Sequence, residues 1–320
     1  MNYKPPFKRN DTIDTLCMEI SELVGTLTTD TPIAKSPHLH RELRIKTIYS
    51  SLVIEGNELD RNAVSAILDG KPVIGNKKDI LEVENAKRAY ELLDKLNPYR
   101  INDLLKAHNV MMHNLIPSPG TFRTKNVGVF DGSRLIHAGT PSNYVPEVMA
   151  DIFTWLKDTK IHPLLSSCIF HFEFEFCHPF SDGNGRIGRL WHTLLLSKWR
   201  PPLAWLPIEN TIRQQQSGYY EALATSGAAG SSEIFVEFML KAIKKSLKPF
   251  TKTQDKRTQI KVEALEFFTN NPHGNINQLA EYLSCSKRSA ERIVAELKSE
   301  GKLKRNGSTR AGIWSVSNIF

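Results

Sequence analysis

The chain has 320 residues, a formal net charge of +8 and 40% hydrophobic residues, which predicts a globular protein of two domains or three small ones. The four cysteines form no Cys-x-x-Cys pair, which argues against a disulfide framework or a zinc site and favours the cytoplasm. The sequence starts without a signal-peptide core and contains no apolar run of transmembrane length, so we expect no membrane partner.

Helical spacing of apolar residues predicts one helix from Ile13 to Leu27 and a second that begins after Ser36 and stops at Gly56. Further helical patterns fall at about 79–95, 102–115, 145–157, 163–177, 186–199, 209–226 and 231–247. Residues 127–138 differ, because two short apolar runs flank an Asp-Gly pair, which predicts a β-hairpin. Residues 171–176 alternate Phe with His or Glu, so periodicity alone leaves strand and helix open there.

The last part of the chain has a different pattern. Residues 248–258 are polar and basic and read as a linker, and 259–269, 276–282 and 287–300 are helical patterns followed by two short strands. Three helices closed by a hairpin resemble a winged helix-turn-helix over 259–320. Its basic residues suit the phosphates of DNA, and they are Lys287, Arg288, Arg292, Lys302, Lys304, Arg305 and Arg310. Nearby glutamates dilute this charge, and such modules also dock proteins, so both DNA and a protein partner stay open.

Residues 178–189 carry the densest chemistry and read His-Pro-Phe-Ser-Asp-Gly-Asn-Gly-Arg-Ile-Gly-Arg. An amphipathic run follows, so the Gly-Asn-Gly segment lies where a loop becomes a helix N-terminus, a position that favours an anion. The two arginines can clamp a polyphosphate, and Asp182 suits Mg²⁺. His178 is the group in this segment that can take a proton near neutral pH.

This segment matches every specified position of the pattern His-x-Phe-x-(Asp/Glu)-Gly-Asn-Gly-Arg-x-x-Arg, and the chain thereby resembles Fic-domain proteins. The alternative is a Gly-rich turn capped by surface arginines. The resemblance implies a mostly α-helical core with a β-hairpin flap, and helix rather than strand over 163–177. It also accounts for His178 without a metal, so we do not interpret His171, Glu173, Glu175 and His178 as a metal cluster.

The same resemblance implies the roles of the segment. His178 is the catalytic residue and accepts a hydroxyl proton, while Asp182 holds Mg²⁺ or Mn²⁺ against the phosphates of ATP. Arg186 binds the β-phosphate side and Arg189 the γ-phosphate. The residues predicted to bind ATP or its phosphates are Gly183, Asn184, Gly185, Arg186, Gly188 and Arg189.

A second segment, Ser51-Leu52-Val53-Ile54-Glu55-Gly56, matches the inhibitory pattern (Ser/Thr)-x-x-x-Glu-(Gly/Asn) of the family. Ser51 and Glu55 lie one turn apart, and a carboxylate at a helix C-terminus is disfavoured unless a cation meets it. Arg189 is the expected cation, so Glu55 would compete with the γ-phosphate for it. The alternative is a surface glutamate before the helix-ending Gly56.

Two further assignments follow from the resemblance. The segment 120–123, Gly-Thr-Phe-Arg, looks like the entry to the flap, so Leu135, Ile136 and His137 are candidates for docking the target by strand addition. The alternative is an ordinary surface hairpin. Tyr219 is the candidate beside the nucleotide base, and the alternative is a core aromatic residue.

The sequence therefore predicts a helical region at 1–105 that carries the inhibitory motif, a Fic core at 106–247, the linker and the terminal module. The predicted function is transfer of AMP from ATP to a Ser, Thr or Tyr hydroxyl of target proteins and of the chain itself, inhibited by Glu55. Alternatives are removal of AMP by means of Glu55, transfer of another phosphate-containing group, and a DNA-binding regulator whose core senses ATP. For its assembly, a homodimer is one of the open alternatives.

Overall fold

The computed structural model describes residues 3–27, 31–131, 134–251, 256–306 and 312–317, without the side chains of 129–131, 134–138 and 256–259. It forms two compact units, Met1–Pro249 and Phe250–Phe320. The predicted mostly helical architecture is confirmed, whereas the four-part division of the chain stays a prediction. Among the described residues, no helix is both long enough and apolar enough to span a membrane.

The first unit is built from helices. They are α1 (Asp11–Gly25), α2 (Pro32–Lys35), α3 (Pro37–Ile54), α4 (Arg61–Leu68), α5 (Lys77–Tyr90), α6 (Ile101–Met111), α7 (Val145–Asp158), α8 (Pro163–Cys177), α9 (Asn184–Trp199), α10 (Ile208–Gln214), α11 (Gln216–Ala229) and α12 (Glu233–Thr251). Short 3₁₀ turns lie at Leu93–Lys95, Ser142–Tyr144 and Pro201–Trp205.

Helix α3 begins and ends on the signals read from the sequence. The Ser36 hydroxyl accepts a hydrogen bond from the Leu39 amide at 3.2 Å, and Pro37 occupies the first turn. After Ile54 the chain leaves the helix, and Gly56 has a φ of 86°, in the left-handed region that glycine adopts readily. These signals place Ser51 and Glu55 in the last turn and at the C-cap of α3.

Helix α8 explains why the alternating pattern of 171–176 was ambiguous. Phe170, Phe172 and Phe174 are all buried, and so are His171 and Glu175 on other sides of the helix. A helix that is covered on every side does not show the usual amphipathic stripe. The helix implied by the resemblance is confirmed.

The helices of the structure differ from the predicted ones in two places. The single helix predicted over 209–226 is wrong, because α10 and α11 are separated at Gln215, where the backbone leaves helical geometry with φ −127° and ψ 35°. Helices α2 and α4 were not predicted, since four and eight residues are too few for a periodic signal.

The centre of the first unit is the contact between α8 and α9. Phe170 and Phe174 of α8 pack in one cluster with Trp191 of α9, and all three are buried. Helices α3, α5 and α6 contribute Ile48, Val83 and Leu104 to the same cluster, along with further residues. The N-terminal helices therefore share one hydrophobic core with the motif-bearing helix.

The predicted hairpin is confirmed. Strand β1 (Gly128–Asp131) pairs antiparallel with β2 (Arg134–Ala138), and the register shifts between Val129 and Phe130. The side chains of Leu135, Ile136 and His137 lie outside the described part of the structure.

The second unit contains α13 (Lys256–Asn270), α14 (Ile276–Tyr282), α15 (Lys287–Ser299) and an antiparallel pair, β3 (Leu303–Asn306) with β4 (Ile313–Val316). Its own core includes Phe268, Leu279, Leu297 and Trp314. The element order is the predicted one, and the winged-helix interpretation stays a prediction.

The close approach of α8 and α9 at Gly188 gives a test of the core. A Cβ there would lie 2.5 Å from Glu175 Oε1 and 3.2 Å from Phe174 Cδ1. Because such overpacking costs about 1–3 kcal/mol, Gly188→Ala should lower the melting temperature by several degrees in a thermal unfolding measurement.

Gly218→Ala is the matched control for this substitution. Its Cβ would meet Phe238 at 3.5 Å, an ordinary contact, and alanine favours the helix, so stability should stay equal or rise. Equal melting temperatures for wild type and Gly188→Ala would contradict the packing argument.

Candidate active site

The site is built on the turn between α8 and α9. His178 has a φ of 51° and a ψ of 61°, a left-handed conformation that is uncommon outside glycine. The Asn184 side chain closes the loop that follows, since its Oδ1 accepts from the Phe180 amide and its Nδ2 donates to the Phe180 carbonyl, both at 2.9 Å. The Asn184 side chain thus holds the loop, and Phe180 is buried beneath it.

The first turn of α9 is open to an anion. Gly183 occupies the N-cap position, and no described side chain caps this helix end. The first amide groups of a helix have no partner within the helix, and the helix dipole adds positive charge there. The predicted phosphate site at Gly183, Asn184 and Gly185 coincides with this end of a sixteen-residue helix.

Arg189 contacts the segment that the sequence predicts to be inhibitory. Its Nε donates to the Ser51 hydroxyl at 3.0 Å, and its Nη2 donates to the Ser51 carbonyl at 3.0 Å and to Glu55 Oε1 at 2.8 Å. Burial alone would lower the pKa of Arg189, but the Glu55 carboxylate raises it above its ordinary value. The structure therefore brings together the pair that the two sequence motifs predict.

Gly185 leaves the space that the Glu55 carboxylate occupies. A Cβ at this position would collide with Glu55 Oε1 and lie 2.9 Å from Arg189 Nη1. The carboxylate thus sits against the backbone of the segment predicted to hold phosphates.

Arg186 is held by carboxylates on two sides. Its Nη1 donates to Glu82 Oε1 at 3.0 Å and its Nη2 donates to Asp182 Oδ1 at 2.9 Å. The same Asp182 oxygen accepts a hydrogen bond from the Gly183 amide at 2.6 Å. The Asp182 side chain is about half exposed. The predicted metal ligand therefore faces the solvent beside the predicted phosphate site, and Glu82 is a partner that the sequence did not reveal.

His178 lies partly buried at the start of this turn. Burial lowers the pKa of its imidazole, and the Glu175 carboxylate opposes that change. A neutral imidazole at pH 7 has a lone pair that can take a proton, as the predicted role requires.

His108 of α6 supports the loop between α8 and α9, a role that the sequence did not predict. Its Nδ1 accepts from the Gly120 amide at 2.8 Å, so Nε2 carries the proton and donates to the Asp182 carbonyl at 3.0 Å. The ring stacks on Phe180 at 3.6 Å, and burial lowers its pKa to about 4, so it stays neutral. A single histidine on an amphipathic helix gives no signal for this role.

The sequence indicates Arg123 only as part of the flap entry, and the structure gives it a further role. Its guanidinium donates to the carbonyls of His178 at 2.6 Å, Lys125 at 2.9 Å and Cys177 at 3.2 Å, and also to that of Thr140. The cation compensates the negative end of α8 and fixes the backbone at His178.

Tyr219, the candidate for contact with the nucleotide base, is buried in the core. Tyr219 is 2% exposed and its hydroxyl lies 3.2 Å from His171 Nε2, which favours the alternative of a core aromatic residue. The next residue, Tyr220, is only partly buried. Nucleotide-base contact by Tyr219 stays a prediction.

Other acidic residues of α8 have local roles. Glu173 accepts a hydrogen bond from the Tyr3 hydroxyl at 2.5 Å, whereas Glu175 lies 3.5 Å from His171. Among the residues described, no cluster of His, Cys, Asp and Glu has the arrangement of a metal site.

Comparisons with known proteins identify the family. A model of the Fic/DOC family matches residues 98–196. A Fic family protein from Desulfovibrio desulfuricans, solved by crystallography, is 36% identical, with a TM-score of 0.76 and 99% of each chain covered. The chain belongs to the Fic family.

Curated relatives carry the name protein adenylyltransferase. Fic-1 of Caenorhabditis elegans is 30% identical over 66% of this chain and 42% of that protein, and Fic of Nematostella vectensis is 26% identical over 65% and 48%. This chain thus spans less than half the length of these relatives. A solved fragment of C. elegans Fic-1, 23% identical with a TM-score of 0.61 over 77% of this chain and 72% of that one, shares the fold.

The buried carboxylate of Glu173 predicts a pH effect on stability. Burial raises its pKa from 4.5 to about 7, although the Tyr3 hydrogen bond lowers it. The folded state therefore binds more protons than the unfolded state between pH 4.5 and about 7, so this group destabilises the fold as pH rises through that window. Glu173→Gln keeps an acceptor for Tyr3 and removes the charge.

The variant should therefore gain stability over wild type by roughly 1–3 kcal/mol at pH 8 and by much less at pH 5, as measured by denaturant unfolding. Glu84→Gln, at an exposed carboxylate on α5, is the control and should show no such trend. A gain of equal size at both pH values would rule out this titration.

Proposed function

We propose that this chain transfers AMP from ATP to a Ser, Thr or Tyr hydroxyl of target proteins and of itself, and that Glu55 inhibits the transfer. The contact of Arg189 with Ser51 and Glu55 beside a complete Fic motif carries the proposal. The names of the curated relatives support the activity.

In the proposed reaction the hydroxyl oxygen of the target attacks the α-phosphorus of ATP. A phosphorus–oxygen bond forms to the target, the bond to the β-phosphate oxygen breaks, and pyrophosphate leaves. His178 takes the hydroxyl proton. Positioning and charge stabilisation dominate such transfers, and the amides of Gly183 to Gly185 with Arg186 and Arg189 would supply both.

Asp182 fits a divalent cation, Mg²⁺ or Mn²⁺. Its carboxylate is about half exposed and adjoins the open end of α9, and Mg²⁺ in nucleotide sites commonly uses one or two protein carboxylates with substrate phosphates. The cation would supply charge that neutralises the phosphates. Its Oδ1 already accepts from Arg186 and from the Gly183 amide, so the cation would bind through Oδ2.

Inhibition follows from the charge and place of Glu55. The carboxylate accepts a hydrogen bond from Arg189, the residue proposed to bind the γ-phosphate. It also lies against Gly185, where its negative charge would repel phosphate oxygens. ATP would then bind without its α-phosphate placed for attack.

A second candidate function is removal of AMP from a modified target. The Glu55 side chain is 21% exposed within the site, so water can reach its carboxylate, which could activate that water. Mass spectrometry of a pre-modified target, with wild type and with Glu55→Gly, separates this reaction from transfer.

For the second unit we propose the winged-helix interpretation. The order α13, α14, α15, β3 and β4 and its separate core support it. Lys287, Arg288 and Arg292 are exposed on α15, where they suit phosphate contacts. DNA binding, a protein partner, a homodimer and the cytoplasmic location stay predictions.

The first test of the activity is incubation with α-labelled ATP. Wild type should label itself weakly, and His178→Ala should lose label transfer by about 10²–10⁴-fold while binding ATP with little change. His113→Ala, at an exposed histidine, is the control. Loss of ATP binding together with transfer would show that His178 is structural and not the base.

The second test concerns inhibition. Loss of one charge-assisted contact of about 1.5–3 kcal/mol should raise self-labelling of Glu55→Gly by roughly ten- to a hundredfold. Glu58→Gly removes an exposed carboxylate three residues away and should leave the rate unchanged.

Arg189→Ala should not reproduce the activation, because the competent state needs the same guanidinium, and the double variant should behave like Arg189→Ala. An unchanged rate in a folded, ATP-binding Glu55→Gly would remove inhibition by this segment from the proposal.

A further inference from the structure

We infer that Glu82 is a positioning residue that holds Arg186 in the orientation required to bind the β-phosphate of ATP. The inference rests on the proposed function, because it takes ATP as the ligand. Glu82 belongs to α5, outside both sequence motifs.

Both oxygens of the Glu82 carboxylate are engaged. Oε1 accepts from Arg186 Nη1 at 3.0 Å, and Oε2 accepts from Asn57 Nδ2 at 2.8 Å. Asn57 is itself fixed, because its Nδ2 also donates to the Asp79 carbonyl and its Oδ1 accepts from the Leu59 amide, each at 3.1 Å. These contacts fix the orientation of the Glu82 carboxylate, so that Oε1 faces Arg186.

The two carboxylates on Arg186 differ in exposure. The Asp182 side chain is 48% exposed, whereas those of Glu82 and Arg186 are 7% and 4% exposed. Water or a phosphate can replace the exposed contact at low cost. Breaking the buried pair removes the buried anion of Arg186 and, among the described cations, leaves Glu82 with only the exposed Lys78, whose Nζ lies 4.0 Å from Oε1. When nucleotide arrives, Nη2 is free to change partner while Nη1 stays on Glu82.

This arrangement gives the N-terminal carboxylates opposite roles. Glu55 is 21% exposed and must leave Arg189 before the γ-phosphate can bind. Glu82 must stay, because it aims the guanidinium of Arg186 at the nucleotide. Asn57, two residues after Glu55, fixes Glu82 from the end of the inhibitory segment.

Positioning can be separated from charge neutralisation by two substitutions. Glu82→Ala removes the acceptor and leaves Arg186 free to turn. Glu82→Gln keeps an oxygen for Nη1 and removes the negative charge. If Glu82 only neutralised Arg186, both variants would leave the positive charge of Arg186 less compensated. They would then bind phosphates at least as well as the parent.

The test measures binding of ATP, ADP and AMP by calorimetry to the full chain with Glu55→Gly, in the presence of Mg²⁺. Loss of one oriented charge-assisted contact is expected to raise the Kd of ATP and ADP by about tenfold in Glu82→Ala. AMP lacks a β-phosphate, so its affinity should stay the same. Glu82→Gln should recover most of the loss, and Glu84→Ala on the same helix is the control.

Several results would overturn the inference. Tighter or equal ATP binding in both Glu82 variants would mean that Glu82 only balances charge, and parallel weakening of AMP would mean a general structural role. If the Glu55→Gly parent bound no ATP, the proposed function would fail and the inference with it. If the parent binds ATP and labels itself while Glu82→Ala matches it, only the inference fails.

Discussion

Two guanidinium groups, those of Arg186 and Arg189, are buried in the first turns of α9, where the helix dipole is already positive. Buried cations in such a place need anions, and the backbone around them offers none. Besides the half-exposed Asp182, Glu82 and Glu55 supply them from α5 and from the end of α3. The N-terminal helices are thus required by the charge of the motif as well as by the shared core.

The rest of the site is fixed by side chains that donate hydrogen bonds to backbone carbonyl groups. Asn184 closes the loop, His108 holds the carbonyl of Asp182, and Arg123 holds the carbonyl of His178. Low pKa keeps His108 neutral, so this support does not change around neutral pH. A site that works by positioning needs such a frame, because small displacements of a reacting group cost much of its effect.

Local signals in the sequence predicted a large part of this structure. The caps of α3, the hairpin and the helix after the Gly-Asn-Gly turn are set by neighbouring residues, and the two motifs predicted the contact of Glu55 with Arg189. Helix α8 required the family resemblance, because burial on all sides removed its periodicity. Glu82, Asn57 and His108 could not be found, since each lies on an ordinary helical or loop pattern and meets its partner across a long stretch of chain. The break between α10 and α11 also has no strong breaker in the sequence.

Because residue 185 is a glycine, substitutions at this position have a particular consequence. One small volume beside its Cα receives the Glu55 carboxylate, and the same volume borders the open end of α9. A side chain at 185 would displace the Glu55 carboxylate from this volume, and under the proposed function it would also take the place of the phosphates. If Glu55 inhibits AMP transfer as proposed, substitution at 185 would remove the inhibitor and the activity together, whereas substitution at 55 would remove only the inhibitor, so uncontrolled activity would arise through the N-terminal helix.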